Sequence, residues 1–202
     1  MLDLLIGTGN VGKVNEYRAL LAGVPVNLFD LHDVGLADLD VEEDGGTLEA
    51  NARLKARAYA DAGGRLTLAD DTGLIVDALG GAPGIYPARY GGPGLTMAQR
   101  RARLLAELAG IPAAERSARF VCVIVAAHPQ AGEMLSFEGV CEGQIALAEA
   151  EGEHGFGYDA IFIPQGSDRP LSLMPMAQKN QISHRGQAVR RLIPYLLSLA
   201  NG

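Results

Sequence analysis

The sequence predicts an α/β fold, a long mixed β-sheet flanked by helices, and three observations predict it. Leu2 to Ile6 is a short apolar run that passes through Gly7-Thr8-Gly9-Asn10 into a helix-favouring stretch, the strand–turn–helix form of a parallel α/β unit. Leu66 to Ala69 is a second apolar strand, and it leads into Asp70-Asp71 and a glycine turn at Gly73. Arg119 to Ala127 and Glu133 to Cys141 read as two antiparallel strands joined by a turn at Pro129 to Gly132. A hairpin behind a helix–strand alternation argues for a mixed sheet over a purely doubly wound one.

Taken in order, the first strand and its glycine turn open a helix to about Leu21, and Val24 to Phe29 is the second strand. Residues 32–46 form an acidic loop ending in Glu42-Glu43-Asp44-Gly45-Gly46. Thr47 caps a helix to about Ala62 that is rich in Ala, Leu and Arg. The Leu66 strand follows, then a loop over residues 80–94 too rich in Gly and Pro to be a helix. Thr96 and Gln99 form a capping box for a helix to about Leu108. After the hairpin, which Glu142 to Leu147 extends, Gly155-Phe156-Gly157-Tyr158-Asp159 precedes a strand at Ala160 to Ile163. Ser183 caps a C-terminal helix to about Leu199, and Pro194 bends it because proline has no N–H.

Composition sets outer bounds. The 202 residues suffice for one large domain, here a single two-lobed domain over residues 1–202, with an ordinary 48% hydrophobic and 20% charged content. Glycine is the outlier, with 26 residues clustered near 7–12, 80–94 and 152–157, the mark of loop architecture. A net charge of -7 argues against a nucleic-acid polymer as partner, since its backbone needs a basic face. Two cysteines make neither a disulfide framework nor a metal cluster, and Cys122 sits in Phe120-Val121-Cys122-Val123-Ile124-Val125 as a small buried hydrophobe. With no signal peptide and no run near the ~20 apolar residues of a membrane span, the expected location is cytoplasmic.

Two readings compete for Gly7-Thr8-Gly9-Asn10-Val11-Gly12-Lys13. As G-x-G-x-x-G it is a dinucleotide fingerprint, with Asp30 ending the next strand. As G-x-x-x-x-G-K it is nearly a P-loop, failing at Val14, where no hydroxyl is available. Both share a helix N-terminus whose free N–H groups cradle phosphate, with Lys13 as a point charge. Asp70 and Asp71, if extended, point to opposite faces, so a second acid facing the same site must come from elsewhere, the Glu42-Glu43-Asp44 loop being nearest. Two carboxylates with phosphate oxygens are the usual way to hold Mg²⁺. Phe156-Gly157-Tyr158-Asp159 offers an aromatic face suited to a nucleobase. His184 and Arg185 open a helix where cations are disfavoured, which marks them as functional, and Lys179 lies just upstream.

Together these segments resemble the Ham1-like (inosine triphosphatase) family of pyrophosphatases that act on non-standard purine nucleoside triphosphates. The resemblance rests on Thr8-Gly9-Asn10-Val11-Gly12-Lys13 with Glu16, Glu43 with Gly45 and Thr47, and Asn51-Ala52 with Lys55-Ala56. It continues through Asp70-Asp71-Thr72-Gly73-Leu74, Ala78 to Tyr86 with Ala88-Arg89-Tyr90, Gly155 to Asp159, and Ser183-His184-Arg185-Gly186, in family order. It overrules the dinucleotide reading and leaves a non-catalytic nucleotide-binding module as the alternative.

The resemblance implies two lobes around the long sheet with the active site in the cleft between them, a homodimer, and Mg²⁺-dependent hydrolysis of ITP, dITP and XTP to monophosphate and pyrophosphate. It implies that Thr8, Gly9, Asn10, Val11, Gly12, Lys13 and Thr72 hold phosphates, with Lys55 helping to offset their charge. Glu43 and Asp71 would bind metal, Asp71 also activating water for attack at the α-phosphorus. Phe156, Gly157, Tyr158, Asp159, Lys179, His184 and Arg185 would hold base and sugar. Three departures stand out: Thr72 for a usual serine, Ala50 for a common glutamate, which removes half of a capping box from Thr47, and Pro87 for a common serine, which stiffens the loop before Ala88.

Overall fold

Strand β1 (Leu2–Ile6) buries its last three side chains and ends at Gly7. Gly7 is required there: a Cβ would come within 2.9 Å of the Tyr59 ring and 3.1 Å of the Thr67 methyl. The computed structural model describes every residue except Gln130, Ala131, Glu133, Asn201 and Gly202. The remaining elements are α1 (Val11–Leu20), β2 (Val26–Asp30), α2 (Leu48–Gly63), β3 (Leu66–Val76) and β4 (Pro83–Gly84). They continue with α3 (Met97–Glu107), β5 (Ser117–Ala127), β6 (Met134–Ile145), β7 (Phe162–Pro164), α4 (Met176–Ile182) and α5 (His184–Ala200).

The strands form one sheet in the order β2-β1-β3-β5-β6-β7, with β4 paired to β3 off that path. It is mixed, as the sequence predicts. β1 runs parallel to β2 and to β3, with Leu4 opposite Leu66 and Ile6 opposite Leu68, whereas β4 and β7 pair antiparallel with β3 and β6. Gly7 N–H donates to Leu68 O at 2.7 Å and carries the β1–β3 ladder one step past the strand. That register sets the turn after β1 beside Ala69 to Asp71, at the carboxyl ends of parallel strands, where α/β folds place ligands.

The chain divides into two compact units. The first comprises Met1–Asp71, Cys122–Gly139 and the chain from Arg185 on, and the second Thr72–Val121 and Val140–His184. Unit 1 packs Leu4, Ile6, Tyr17 and Leu68 against Cys122, Ile124, Val189, Leu192 and Leu196, and a smaller cluster forms at Leu5, Leu31 and Tyr59. Unit 2 packs Leu74, Val76, Leu104 and Leu108 with Phe120, Cys141, Ile161, Phe162 and Met174. Both cysteines are buried and unbridged.

Several expectations need adjustment. Gly73 makes no turn: β3 runs through it for 11 residues, because pairing of Leu74 with Gly84 and Ile75 with Pro83 keeps the chain extended. The Gly/Pro loop therefore contributes a short strand. The second strand begins two residues later than expected. A helix not foreseen, α4, follows Pro175, which starts it by occupying the cap. Ser183 then lies between α4 and α5, and Pro194 lies inside α5. Part of the hairpin turn, at Gln130 and Ala131, and the first residue of its second strand, Glu133, lie outside the described residues. Two of the three caps read from the sequence are seen as hydrogen bonds: Thr47 Oγ1 accepts from Ala50 N–H at 3.1 Å, and Thr96 with Gln99 forms a full capping box.

Candidate active site

In unit 1 the site grows from the turn between β1 and α1. Thr8 Oγ1 accepts from Asn10 N–H and Asn10 Oδ1 accepts from Lys13 N–H, each at 3.2 Å, so Asn10 caps α1. Gly9, Asn10 and Val11 are exposed, Val11 at 67%. Lys13, one helical turn in, reaches Asp70 Oδ2 at 2.9 Å.

Asp70 and Asp71 do face opposite ways, as an extended chain demands, and both are buried. Asp70 lies between cations: Lys13 on one side and Arg185 Nη2 at 2.9 Å on the other. Burial alone would raise its carboxyl, but Lys13, Arg185 and Lys55 outweigh it and hold it well below the usual range. Arg185 is 1% exposed, also pairs with Glu16 from α1, and lies over the Tyr17 ring. This explains how Arg185 is tolerated at the start of α5: β3 and α1 supply the carboxylates that the helix end does not.

Asp71 belongs to a second cluster. Asn51 Nδ2 donates to its Oδ2 at 3.2 Å, and Lys55 Nζ lies 3.3 Å from its Oδ1 and 2.8 Å from Glu43 Oε2. Burial raises the Asp71 carboxyl above its ordinary value, and Lys55, Lys13 and Asn51 only partly offset this. Asn51 Oδ1 in turn accepts from Gly45 N–H at 2.8 Å, fixing the acidic loop on α2. Asn51 and Glu16 are supporting residues that sequence reasoning assigns no role. Both stand within the motifs of the family resemblance, and the helical spacing of Asn51 with Lys55, and of Lys13 with Glu16, is the signal that could find them.

Among the described residues no three His, Cys, Asp or Glu side chains converge to hold a metal ion. Glu43 and Asp71 converge as a pair, and the Lys55 ammonium between them shows that the pair accepts a cation. Two carboxylates, with phosphate oxygens and water completing the set, fit a hard cation of the Mg²⁺ type.

Unit 2 carries the aromatic cluster. Asp159 Oδ2 accepts from Phe156 N–H at 2.7 Å and from Lys179 Nζ at 2.6 Å, with the Lys179 and Asp159 side chains nearly out of water. The Lys179 ammonium lies 4.9 Å from the Phe156 ring centre. Gly155 and Gly157 have φ of +77° and +64°, and a Cβ on Gly155 would meet Asp159 Oδ2 at 2.4 Å, so this loop needs both glycines. Tyr158 O–H donates to Pro87 O at 2.9 Å, and burial pushes its phenol up to about 12. His184 stacks on Phe120 with ring centres 4.7 Å apart. Thr72, half-buried in β3, is the first residue of this unit.

The structure thus gathers Lys13, Glu43, Lys55, Asp71 and Arg185 in unit 1, and Phe156, Gly157, Tyr158, Asp159, Lys179 and His184 in unit 2. Asp30, the acid of the dinucleotide reading, is held instead by Arg18 at 2.9 Å and by the backbone N–H groups of His32 and Asp33. Among the described residues no helix is long and apolar enough to cross a membrane.

Comparison with known proteins identifies the family. The sequence profile of the Ham1 family matches residues 4–195. A dITP/XTP pyrophosphatase of Oceanobacillus iheyensis is 40% identical over 197 residues, 97% of this chain and 98% of that one. The solved structure of a HAM1 protein from Coxiella burnetii superposes with a TM-score of 0.86 at 36% identity, covering 98% of this chain and 100% of that one. The Staphylococcus aureus Ham1 protein superposes with a TM-score of 0.81 at 38% identity, covering 96% and 97%.

Proposed function

Because this chain belongs to the Ham1 family, we propose that it hydrolyses ITP, dITP and XTP to the nucleoside monophosphate and pyrophosphate, clearing them from the nucleotide pool. The observation that carries this reading is the Glu43–Lys55–Asp71 cluster beside Lys13, a pair of cation-ready carboxylates next to a helix N-terminus that attracts phosphate.

Thr8, Gly9, Asn10, Val11, Gly12, Lys13 and Thr72 hold the triphosphate, with Lys55 offsetting its charge. Glu43 and Asp71 hold a divalent cation, which we take to be Mg²⁺. When bound, it neutralises phosphate charge and favours departure of pyrophosphate. Asp71 takes the proton of the attacking water at its carboxylate. Lys13 stays beside the leaving pyrophosphate, and Asp70 keeps its ammonium in place.

Phe156 stacks on the base, while Gly157, Tyr158 and Asp159 form the loop that presents it. Lys179, His184 and Arg185 complete the base and sugar contacts. Lys179 donates to the 6-keto oxygen, where adenine presents a donor instead. Arg185 already donates to Glu16 and Asp70, so it acts from a fixed position.

The acidic net charge fits a small nucleotide, and not a nucleic-acid polymer, as partner. A cytoplasmic homodimer completes the proposal, and light scattering on the purified protein tests the dimer. The test of function is Mg²⁺-dependent pyrophosphate release from dITP, XTP, dGTP and dATP. Fast release from dITP and XTP alone supports the reading. Bound nucleotide without release from any of them overturns it in favour of a non-catalytic binding module, a reading that the named relatives do not favour.

A further inference from the structure

We propose that Arg101 is the positioning residue for the base-binding loop, and so sets affinity for the nucleobase from outside it; this rests on the function proposed above. Arg101 stands on α3, which carries none of the residues assigned to substrate. Its Nη1 donates to Gly157 O at 2.7 Å and its Nη2 to Glu149 Oε1 at 2.6 Å. One planar guanidinium therefore joins residues 149 and 157, the two ends of the segment that carries Phe156.

Packing alone does not fix this segment. Beside it lies a cavity of about 470 Å³, lined in part by Arg101, Glu149, His154, Phe156, Asp159 and Ser172. Gly155 and Gly157 give the backbone freedom to move into that space. Asp159 restrains the loop through Phe156 N–H and Lys179, backbone bonds hold Ala150 and His154, and Arg101 ties Gly157 to Glu149 across the segment. A guanidinium can hold a carboxylate and a carbonyl at once, which an ammonium on a flexible stem does less well. Removing it lets Phe156 leave its stacking position while the phosphate-binding residues of unit 1 keep theirs.

The experiment compares wild type with Arg101→Leu, Arg101→Lys and Glu149→Gln. Leucine keeps the helix propensity and the apolar stem. The expected result for Arg101→Leu is a KM for dITP raised about tenfold, the loss of a charge-assisted contact. Its kcat stays within about twofold, as for an interaction that serves binding alone. The inhibition constant of inorganic tripolyphosphate, which has no base, stays unchanged. Arg101→Lys recovers part of the loss, and Glu149→Gln shows a smaller one. An unchanged KM, or a tripolyphosphate constant that rises in step with KM, overturns the proposal. Calorimetric binding of inosine monophosphate tests the same effect without turnover: its affinity falls about tenfold in Arg101→Leu, and an unchanged affinity overturns the proposal. A wild type that fails to hydrolyse dITP therefore counts against the function, while inosine monophosphate affinity still judges Arg101. Should Arg101→Leu not fold, Arg101→Lys and Glu149→Gln decide by the same readouts.

Discussion

The Lys55 ammonium lies 3.3 Å from the Asp71 carboxylate, and it bridges from there to Glu43 at 2.8 Å. Two carboxylates brought together in a partly buried site repel, and each would tend to hold a proton. Lys55 lets both stay ready for a divalent cation before any substrate arrives. Its own charge is reinforced in return: burial disfavours it, and Asp71, Asp70 and Glu43 outweigh burial and raise its pKa.

Asp71→Asn keeps the shape of the side chain and removes its charge and basicity. Pyrophosphate release from dITP should fall by about 10²–10⁴-fold, the usual scale for a lost proton acceptor. Nucleotide affinity, followed by calorimetry, should change far less. Retention of more than a tenth of wild-type turnover would remove Asp71 from the chemistry.

Asp70→Asn tests stability. Lys13 and Arg185 share this one buried carboxylate, so its neutralisation strands buried positive charge. The expected loss is about 3–5 kcal/mol, measured as a shift of the urea midpoint. A loss below about 1 kcal/mol would mean that Glu16 alone compensates Arg185.

Ala50→Glu should stabilise the protein. Thr47 already accepts from the Ala50 N–H, and glutamate at this third helical position can reach back to the Thr47 N–H. The gain should be roughly 0.5–1 kcal/mol, or about 2 °C in Tm, by calorimetry. A lowered Tm would show that the close packing of Gly45 against Ala50 and Asn51 excludes the longer side chain.

Cys141 should resist alkylation in the native state. Burial, with Glu142 and Asp159 nearby, pushes its thiol up to about 11 from 9.0. The reactive thiolate is lost by protonation below that value, so labelling by iodoacetamide should rise with pH up to about 11. At pH 8 the thiolate fraction is roughly a hundredfold below that of a free cysteine. Equal labelling rates in native and denatured protein at pH 8 would contradict this.

The helix caps at Thr47 and Thr96, the strand–turn–helix opening and the opposed faces of Asp70 and Asp71 are legible in the sequence because each depends on local pattern alone. Gly73 misleads for the opposite reason. A glycine favours a turn in isolation, and here its strand is held by β4, which comes from the Gly/Pro loop that follows and whose composition gives no sign of a strand. The candidate site is legible as a set of residue types, but not as a set of partners. Nothing in the sequence pairs Arg185 with Glu16, 169 positions away, because that contact exists only once α5 packs beside α1 and β3. Arg101 escapes notice likewise: it lies on an ordinary helix face, 56 residues before the carbonyl it holds.

Neither compact unit is a continuous stretch of chain, and this bears on biosynthesis. The core around Leu4, Ile6 and Leu68 is closed by Val189, Leu192 and Leu196. Strands β1 and β3 are therefore made before α5, the helix that covers their apolar faces. Until then a nascent chain exposes unpaired strand edges and lacks the arginine that neutralises Asp70. A truncated product missing only its final turns should be a target for proteolysis and not a half-active enzyme, and neither unit could be inherited or exchanged as a gene fragment.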